Sequence, residues 1–306
     1  MQSVRIHAFG GPEVLALETE PTPDPQSGEV LVRIHAASVN PVDYKIRNGG
    51  YVGEDRLPLT LGRDISGVVE GCGPGVEEFK PGDAVYALLT PDRGGYAEFV
   101  AVKAEDCAAE PASLDHVHAA AVPLAALTAW QGIFDHGGLS AGQRVLIHGA
   151  AGGVGHFAVQ FAKARGATVY ATCSGQDIDF VRSLGADEAI DYKNRRFEDI
   201  ARDIDLVYDL VAGDTQERSW SVLREGGIIV STLQEPSKEK AAEHKARGAR
   251  YMTKPDGAEL GEIGRLIDAG DVRVEVGKVF PLRQAADAER ALEEEHVRGK
   301  VVLKVA

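Results

Sequence analysis

Apolar and polar residues alternate loosely along Val30-Leu31-Val32-Arg33-Ile34-His35-Ala36, and the same period of two returns at residues 65–71 and 84–88. This is the pattern of strands that bury one face. Turn chemistry separates the runs at Gly73-Pro74-Gly75 and Pro81-Gly82-Asp83, and Pro21, Pro23 and Pro25 mark an extended surface segment. Short strands punctuated in this way predict a small β unit, barrel-like or partly open, in the first third of the chain.

The period then changes. Arg144-Val145-Leu146-Ile147-His148-Gly149 is a short apolar run ending in glycine, as a buried parallel strand would be. After it Val154, Phe157, Ala158, Phe161 and Ala162 recur at helical spacing. Further strands are expected at 168–172, at 190–192, at 205–210 and at 227–231, with helices at 177–184 and 239–247. Strands alternating with helices make a parallel sheet covered on both faces. The end of the chain turns β-rich again at 278–280 and 300–305, around a helix at 285–295, so it is expected to return to the first domain. The predicted fold class is α/β. A β-rich domain spans residues 1–120 and is completed by 271–306, and a Rossmann doubly wound parallel sheet spans 121–270.

Composition narrows the function classes. The chain has 306 residues, enough for two domains, with 44% hydrophobic and 26% charged residues, as in ordinary globular proteins. Lys plus Arg number 33 against 47 Asp plus Glu, a net charge of -14, which argues against a nucleic-acid backbone as partner. The longest apolar stretch, 119–130, is interrupted by Pro123 and Thr128 and falls short of the ~20 residues of a membrane span. No apolar signal core follows Met1. Cys72, Cys107 and Cys173 are too far apart for a disulfide framework or a zinc cluster, so a reduced, cytoplasmic setting is expected.

The chemistry concentrates in Gly149-Ala150-Ala151-Gly152-Gly153-Val154-Gly155, which closes a strand and opens a helix. Ala150, Gly152 and Gly155 fill the three small positions of a dinucleotide fingerprint, with alanine for the usual first glycine. Backbone without a Cβ at Gly152 and Gly153 lets a pyrophosphate come close, and Gly155 lets helix and strand pack. The helix N-terminus turns N–H groups and a partial positive charge toward the phosphates. Ala151, Gly152, Gly153 and Val154 are therefore the expected cofactor loop. At the end of the second strand an acidic residue would bind the ribose hydroxyls of NAD. Thr172-Cys173-Ser174 is neutral there, so NADP(H) is expected, with Thr172, Ser174 and the Tyr192 hydroxyl near the 2′-phosphate. Asp177 lies just beyond, where it either opposes that phosphate or caps the next helix. His156 follows the loop and is a weaker candidate for contact, because the fingerprint needs only backbone there.

The β-rich start, the glycine loop and the returning tail resemble the medium-chain dehydrogenase/reductase superfamily, and within it the zinc-independent, zeta-crystallin-like quinone oxidoreductases. The carriers are Asn40-Pro41-Val42-Asp43-Tyr44, Leu61-Gly62-Arg63-Asp64-Ile65-Ser66-Gly67, Gly94-Gly95-Tyr96-Ala97-Glu98-Phe99, Leu127-Thr128-Ala129-Trp130 and Arg298-Gly299-Lys300-Val301-Val302. The resemblance runs over essentially the whole chain and implies a GroES-like first domain. Zinc alcohol dehydrogenases carry a cysteine at the position of Asn40 and a histidine at that of Arg63. An amide and a guanidinium cannot supply those ligands, and His116 with His118 lack a third, so no metal is expected.

Without a metal to polarise an alkoxide, the reaction implied is hydride donation from NADPH to a quinone or a similar α,β-unsaturated carbonyl. The resemblance places Asn40, Tyr44 and Thr128 toward the nicotinamide, with Tyr44 as donor of a hydrogen bond or proton to the acceptor oxygen. Leu233, at the carboxyl end of the sheet, would wall the nicotinamide, and Lys300 would reach the cofactor from the tail or else be a solvated strand end. Arg63 is expected to pair with Asp43 or Asp64, or to touch substrate, and His116 and His118 to be solvated. A homodimer through the edge strand near Arg250-Tyr251-Met252 is implied as well. Two other readings stand beside this one: a reductase of 2-alkenals or enoyl thioesters, and a non-catalytic NADPH-binding sensor or structural protein.

Overall fold

A computed structural model describes residues 1–306. In chain order it holds β1 (Gln2–Ile6), β2 (Ala16–Thr19), β3 (Glu29–Val39), α1 (Pro41–Arg47), β4 (Leu59–Thr60), β5 (Asp64–Cys72), β6 (Ala84–Leu88), β7 (Phe99–Lys103), β8 (Cys107–Ala109), α2 (His116–Ala120) and α3 (Pro123–Trp130). There follow β9 (Arg144–His148), α4 (Gly155–Ala164), β10 (Thr168–Cys173), α5 (Ile178–Ser183), β11 (Glu188–Asp191), β12 (Ile204–Asp209), α6 (Asp214–Ser219), β13 (Leu223–Ser231), α7 (Lys238–Glu243) and β14 (Arg247–Arg250). The chain ends with α8 (Gly257–Asp268), β15 (Val276–Pro281), α9 (Ala285–Glu294) and β16 (Lys300–Lys304). No helix is long and apolar enough to cross a membrane.

The chain divides into two compact units. The first comprises residues 1–127, 254–270 and 274–306, and the second 128–253 and 271–273. The return to the first unit therefore begins at Lys254 rather than at 271, because α8 belongs with the first unit. Gly257, which opens α8, lies so near β8 that a Cβ there would stand 2.3 Å from the Cys107 carbonyl oxygen. The Tyr86 hydroxyl of β6 donates to the Leu260 carbonyl at 2.6 Å. Nothing in the local periodicity of 257–268 distinguishes a helix that covers a barrel from one that covers a Rossmann sheet.

The GroES-like unit is built on an almost wholly antiparallel sheet in the order β15-β16-β3-β5-β6-β8, with β7 also on β3 and a small sheet β2-β1-β4 beside it. Its core includes Val32, Ile34, Ile65, Val85, Tyr96 and Leu303. The central strand β3 carries the site through its register: Ser38 lies opposite Asp64 of β5, and Val39 opposite Val301 of β16. One residue further along, the same pairing sets Lys300 beside Asn40.

The second unit is a six-stranded sheet in the order β11-β10-β9-β12-β13-β14, every pair parallel. This is the doubly wound order of a Rossmann fold, whose strand order reverses between β9 and β12. Ligands of such sheets bind at that switch point, at the carboxyl ends of the strands. Leu146, Ile190, Val207, Trp220 and Ile229 make one core cluster. The edge strand β14 lies three residues earlier than expected, since the helix before it stops at Glu243 and Lys245 turns the chain with φ +49°.

Candidate functional site

The second unit's candidate site begins where β9 ends. Gly149 adopts φ +75°, a left-handed conformation that glycine takes without penalty, and the chain turns there. Ala150 N–H donates back to the Thr172 carbonyl at 3.0 Å, and Gly152 N–H to Gly149 at 3.1 Å. The helix α4 then starts at Gly155, pressed against the turn: a Cβ on Gly155 would stand 2.2 Å from the Gly149 carbonyl oxygen and 2.7 Å from Ala150 Cα. Gly155 is thus required by packing. Gly152 is different, because its Cβ would find only the Gly149 oxygen, at 3.4 Å. The fold leaves space above Gly152 that it does not use. The first N–H groups of α4 have no acceptor within the helix. Bare backbone, open space and a positive helix end together fit a dinucleotide pyrophosphate. His156 is fully buried, its Nδ1 3.1 Å from the Gly152 carbonyl and its ring against Phe157, so it props the loop from behind.

The end of β10 departs from the neutral, hydroxyl-bearing loop that was expected. Thr172 is buried and its hydroxyl lies 3.0 Å from His148 Nδ1, inside the sheet layer. His148 Nε2 is 2.9 Å from the Ser219 hydroxyl, and burial pushes this imidazole down to about 4. The Ser174 hydroxyl donates to Asp177 at 2.7 Å, and the Asp177 carboxylate is itself buried. Both hydroxyls are therefore engaged by internal partners, and the acidic group is held inward. What the strand ends do display is Tyr192 and Lys193. Parallel pairing of Cys173 with Asp191 sets Ser174 beside Tyr192, and both Tyr192 and Lys193 are exposed. Lys193 was passed over in the sequence, although a basic residue directly after that tyrosine was the available signal.

Thr128 is buried, with its hydroxyl 2.7 Å from that of Thr253. Its carbonyl accepts hydrogen bonds from both Tyr208 and Tyr251, whose hydroxyls lie 2.7 Å apart. Gly132 makes room for this pair: a Cβ there would stand 2.4 Å from the Tyr251 hydroxyl. Past Trp130 the helix widens into a π-helical turn, Gln131–His136, a feature frequent at functional sites. Leu233 is exposed beyond β13, its N–H 3.2 Å from the Ser231 hydroxyl. Asp209 ends β12 and accepts the N–H groups of Val211 and Ala212 at 3.0 and 2.9 Å, shaping the neighbouring loop.

The first unit carries a buried polar cluster around Asn40. Asp43 accepts the Asn40 backbone N–H at 2.7 Å, and Pro41 opens α1, so the helix starts where Asn40 leaves β3. The Asn40 amide nitrogen donates to Asp64 at 2.8 Å, and its amide oxygen accepts from the Lys300 ammonium. Asp64 also accepts from the Ser38 hydroxyl at 2.5 Å and from Leu124 N–H at 2.6 Å. Burial, and then the nearby Asp64 charge, push Asp43 up to about 7; its second oxygen is buried without a hydrogen bond. Tyr44 is half-buried on α1, and burial followed by Glu293 raises its hydroxyl above the usual tyrosine range. At the far end of α1 the buried Arg47 pairs with Glu289 and, at 2.8 Å, with Glu293 of α9.

Three expectations change here. Arg63 pairs with neither Asp43 nor Asp64: its guanidinium donates to the Leu89 carbonyl, with Nε at 2.8 Å. Lys300 is not a solvated strand end but is 3% exposed, and it provides the cation beside Asp64 at 3.6 Å. His116 is not a solvated side chain, since Nδ1 lies 2.7 Å from Glu110 and 2.8 Å from Ser66, and its ring stacks on His35 at 4.4 Å.

A family model described as an alcohol dehydrogenase GroES-like domain matches residues 26–112, and one described as a zinc-binding dehydrogenase matches 184–303. The chain is 38% identical to the mitochondrial NAD(P)H oxidoreductase RTN4IP1 of Homo sapiens, over 90% of this chain and 82% of that protein. It is 33% identical to a quinone oxidoreductase of Rattus norvegicus, over 99% and 97%. The solved structure of Escherichia coli quinone oxidoreductase complexed with NADPH superposes with a TM-score of 0.90 at 29% identity, covering all of both chains. The zinc of the second family description does not fit the residues present. Asn40 and Arg63 bring an amide and a guanidinium, the cation already there is Lys300, and no three His, Cys, Asp or Glu side chains are grouped to hold a metal. The chain belongs to the quinone oxidoreductase branch of the medium-chain dehydrogenase/reductase superfamily.

Proposed function

We propose that this oxidoreductase uses NADPH to reduce a quinone or a similar α,β-unsaturated carbonyl, and that it does so without a metal. The observation that carries the reading is the contrast within the glycine loop, where Gly155 is demanded by packing and Gly152 faces unused space. A ligand that needs close backbone approach explains the second glycine, and pyrophosphate is such a ligand. Ala151, Gly153 and Val154 offer it backbone N–H groups, and Gly152, whose N–H is held by Gly149, offers the close approach. Tyr192, with Lys193 beside it, is assigned to the 2′-phosphate together with the rim formed by Thr172 and Ser174. The buried hydroxyls of those two residues shape that rim rather than bond to the phosphate. Leu233, Thr128 and Asn40 are assigned to the nicotinamide, and the buried Lys300 to the support of Asn40 rather than to the cofactor itself.

When bound, the reduced nicotinamide supplies the hydride that carries two electrons to the acceptor. Reduction of a quinone to a hydroquinone also requires a proton on oxygen. Tyr44 is the assigned donor: its raised hydroxyl stays protonated at neutral pH, and it makes no hydrogen bond within the protein. A conjugated acceptor spreads the incoming charge onto that oxygen, so hydrogen bonds suffice where a simple ketone would need a Lewis acid. The three cysteines are free thiols, in keeping with a reducing, cytoplasm-like compartment. The edge of β14 is the assigned surface for sheet extension by a second copy.

The test is a fluorescence titration with NADPH and NADH, followed by turnover with a small quinone and with a 2-alkenal. NADPH is expected to bind more tightly, and the quinone to oxidise it faster than the alkenal does. Tighter NADH binding would overturn the cofactor assignment and implicate Asp177. Binding without turnover of either acceptor would support a sensor instead.

A further inference from the structure

We infer that Lys300 is a positioning residue: its buried ammonium, lodged against Asn40, holds the Asn40 carboxamide in one orientation for the reaction. The inference rests on the proposed role of Asn40 at the nicotinamide. The two ends of that amide meet opposite charges. The nitrogen donates to the Asp64 carboxylate at 2.8 Å and lies 3.4 Å from the Ser38 carbonyl and hydroxyl oxygens. The oxygen accepts from Lys300. A flipped amide would set its N–H donors against an ammonium and its oxygen against a carboxylate, and both contacts would be repulsive. One orientation therefore survives, with both N–H groups turned to Asp64 and Ser38 and one lone pair of the amide oxygen left for a ligand.

Asp64 does not need Lys300 as a hydrogen-bond donor. It already accepts from Ser38, Asn40 and Leu124, and Lys300 stands 3.6 Å from it. The remaining polar contact of the ammonium is the Val39 carbonyl at 3.4 Å. The shortest contact of Lys300 is thus the one to Asn40, and sheet register delivers it, since Val301 pairs with Val39. Burying a lysine is costly, and burial pulls its proton affinity down while Asp64 and Asp43 hold it up. A tail lysine whose only task was to close the sheet would not need that burial.

The experiment compares wild type with Lys300→Met, with Asp64→Asn, which removes the acceptor of the Asn40 nitrogen alone, and with the double variant Lys300→Met/Asp64→Asn, which removes the buried ammonium as well. Two readouts are taken on the full-length protein. The first is the side-chain NH2 resonance pair of Asn40, seen in protein labelled with nitrogen-enriched asparagine and assigned with Asn40→Ser. The second is kcat with a small quinone beside the NADPH dissociation constant. Wild type and Asp64→Asn are expected to show one slowly exchanging Asn40 pair, and the folded double variant a moved or broadened, fast-exchanging one. Its kcat should fall about a hundredfold, the usual penalty of a misaligned reacting group, while NADPH affinity stays within about threefold. An unchanged Asn40 pair, or wild-type kcat in the folded double variant, would overturn the inference. Wild type that binds NADPH and reduces no acceptor would sink the proposed function instead, and the resonance comparison would then decide Lys300 alone.

Discussion

Replacing Gly152 by alanine should leave the fold standing and strip the protein of its nucleotide, whereas replacing Gly155 by alanine should damage the fold itself. The two glycines lie three residues apart in one loop, so the contrast is a sharp one. The Cβ of Gly152→Ala meets a single atom, the Gly149 oxygen at 3.4 Å, which is ordinary contact, and no change in Tm is expected. That methyl does occupy the path by which a phosphate reaches the backbone. Losing one or two charge-assisted hydrogen bonds, at about 1.5–3 kcal/mol each, corresponds to a drop in NADPH affinity of roughly ten- to ten-thousandfold. The Cβ of Gly155→Ala would lie 2.2 Å from the Gly149 oxygen and 2.9 Å from the Ala150 carbonyl carbon, so α4 must move away from β9. Overpacking of this kind costs about 1–3 kcal/mol, a fall in Tm of several degrees. The assays are thermal unfolding and NADPH fluorescence titration on both variants. Gly152→Ala with wild-type affinity would refute the phosphate cradle, and Gly155→Ala with an unshifted Tm would refute the steric account of the helix start.

Other outcomes follow from the same geometry. Tyr44→Phe should lower kcat with a quinone by about a hundredfold, as loss of a general acid does, and leave NADPH binding unchanged; a normal kcat would remove Tyr44 from the reaction. Arg47→Met leaves the buried Glu289 and the neighbouring Glu293 without their guanidinium, and should cost about 3–5 kcal/mol of stability above about pH 8, where Glu289 is ionised, and less at neutral pH, measured by urea unfolding at both. Because α1 carries Tyr44, activity should fall before global unfolding. His148 is held neutral in the fold, down to about 4, while the unfolded imidazole takes up a proton near its ordinary value of 6.5. The fold must therefore lose stability as pH falls through that window, by about 3 kcal/mol in all. Asp43 and Glu289, which burial pushes up to about 7 and about 8, slope the opposite way over the same range. The His148 contribution is consequently read as the difference between wild type and His148→Asn, which should grow in favour of the variant from pH 6.5 to 4. A flat difference would show that the imidazole is not buried neutral.

The parts of this account legible in the sequence are those with short-range signatures. The run ending at Gly149 and the small residues after it announced a strand, a turn and a helix, because each step needs particular residue types at fixed spacing. The parts that escaped depend on tertiary register. Lys300 lies 260 residues from Asn40 in the chain, and only the antiparallel pairing of β16 with β3 brings them together. Arg63 was matched to acidic neighbours in sequence, yet its fork finds a backbone carbonyl delivered by the end of β6. Thr172 was read as facing a ligand. The alternation of β10 turns it instead toward His148 on the adjacent strand, a partner that no local pattern identifies.

The central claim is metal-free hydride transfer from NADPH held on the glycine loop. A single-turnover experiment under anaerobic conditions tests it most directly: chelator-treated protein is loaded with one equivalent of NADPH and mixed with a small quinone. The nicotinamide absorbance should disappear in step with hydroquinone formation, at the same rate with and without chelator or added zinc. A rate that collapses in chelator and returns with zinc, or NADPH that stays reduced, would contradict the account.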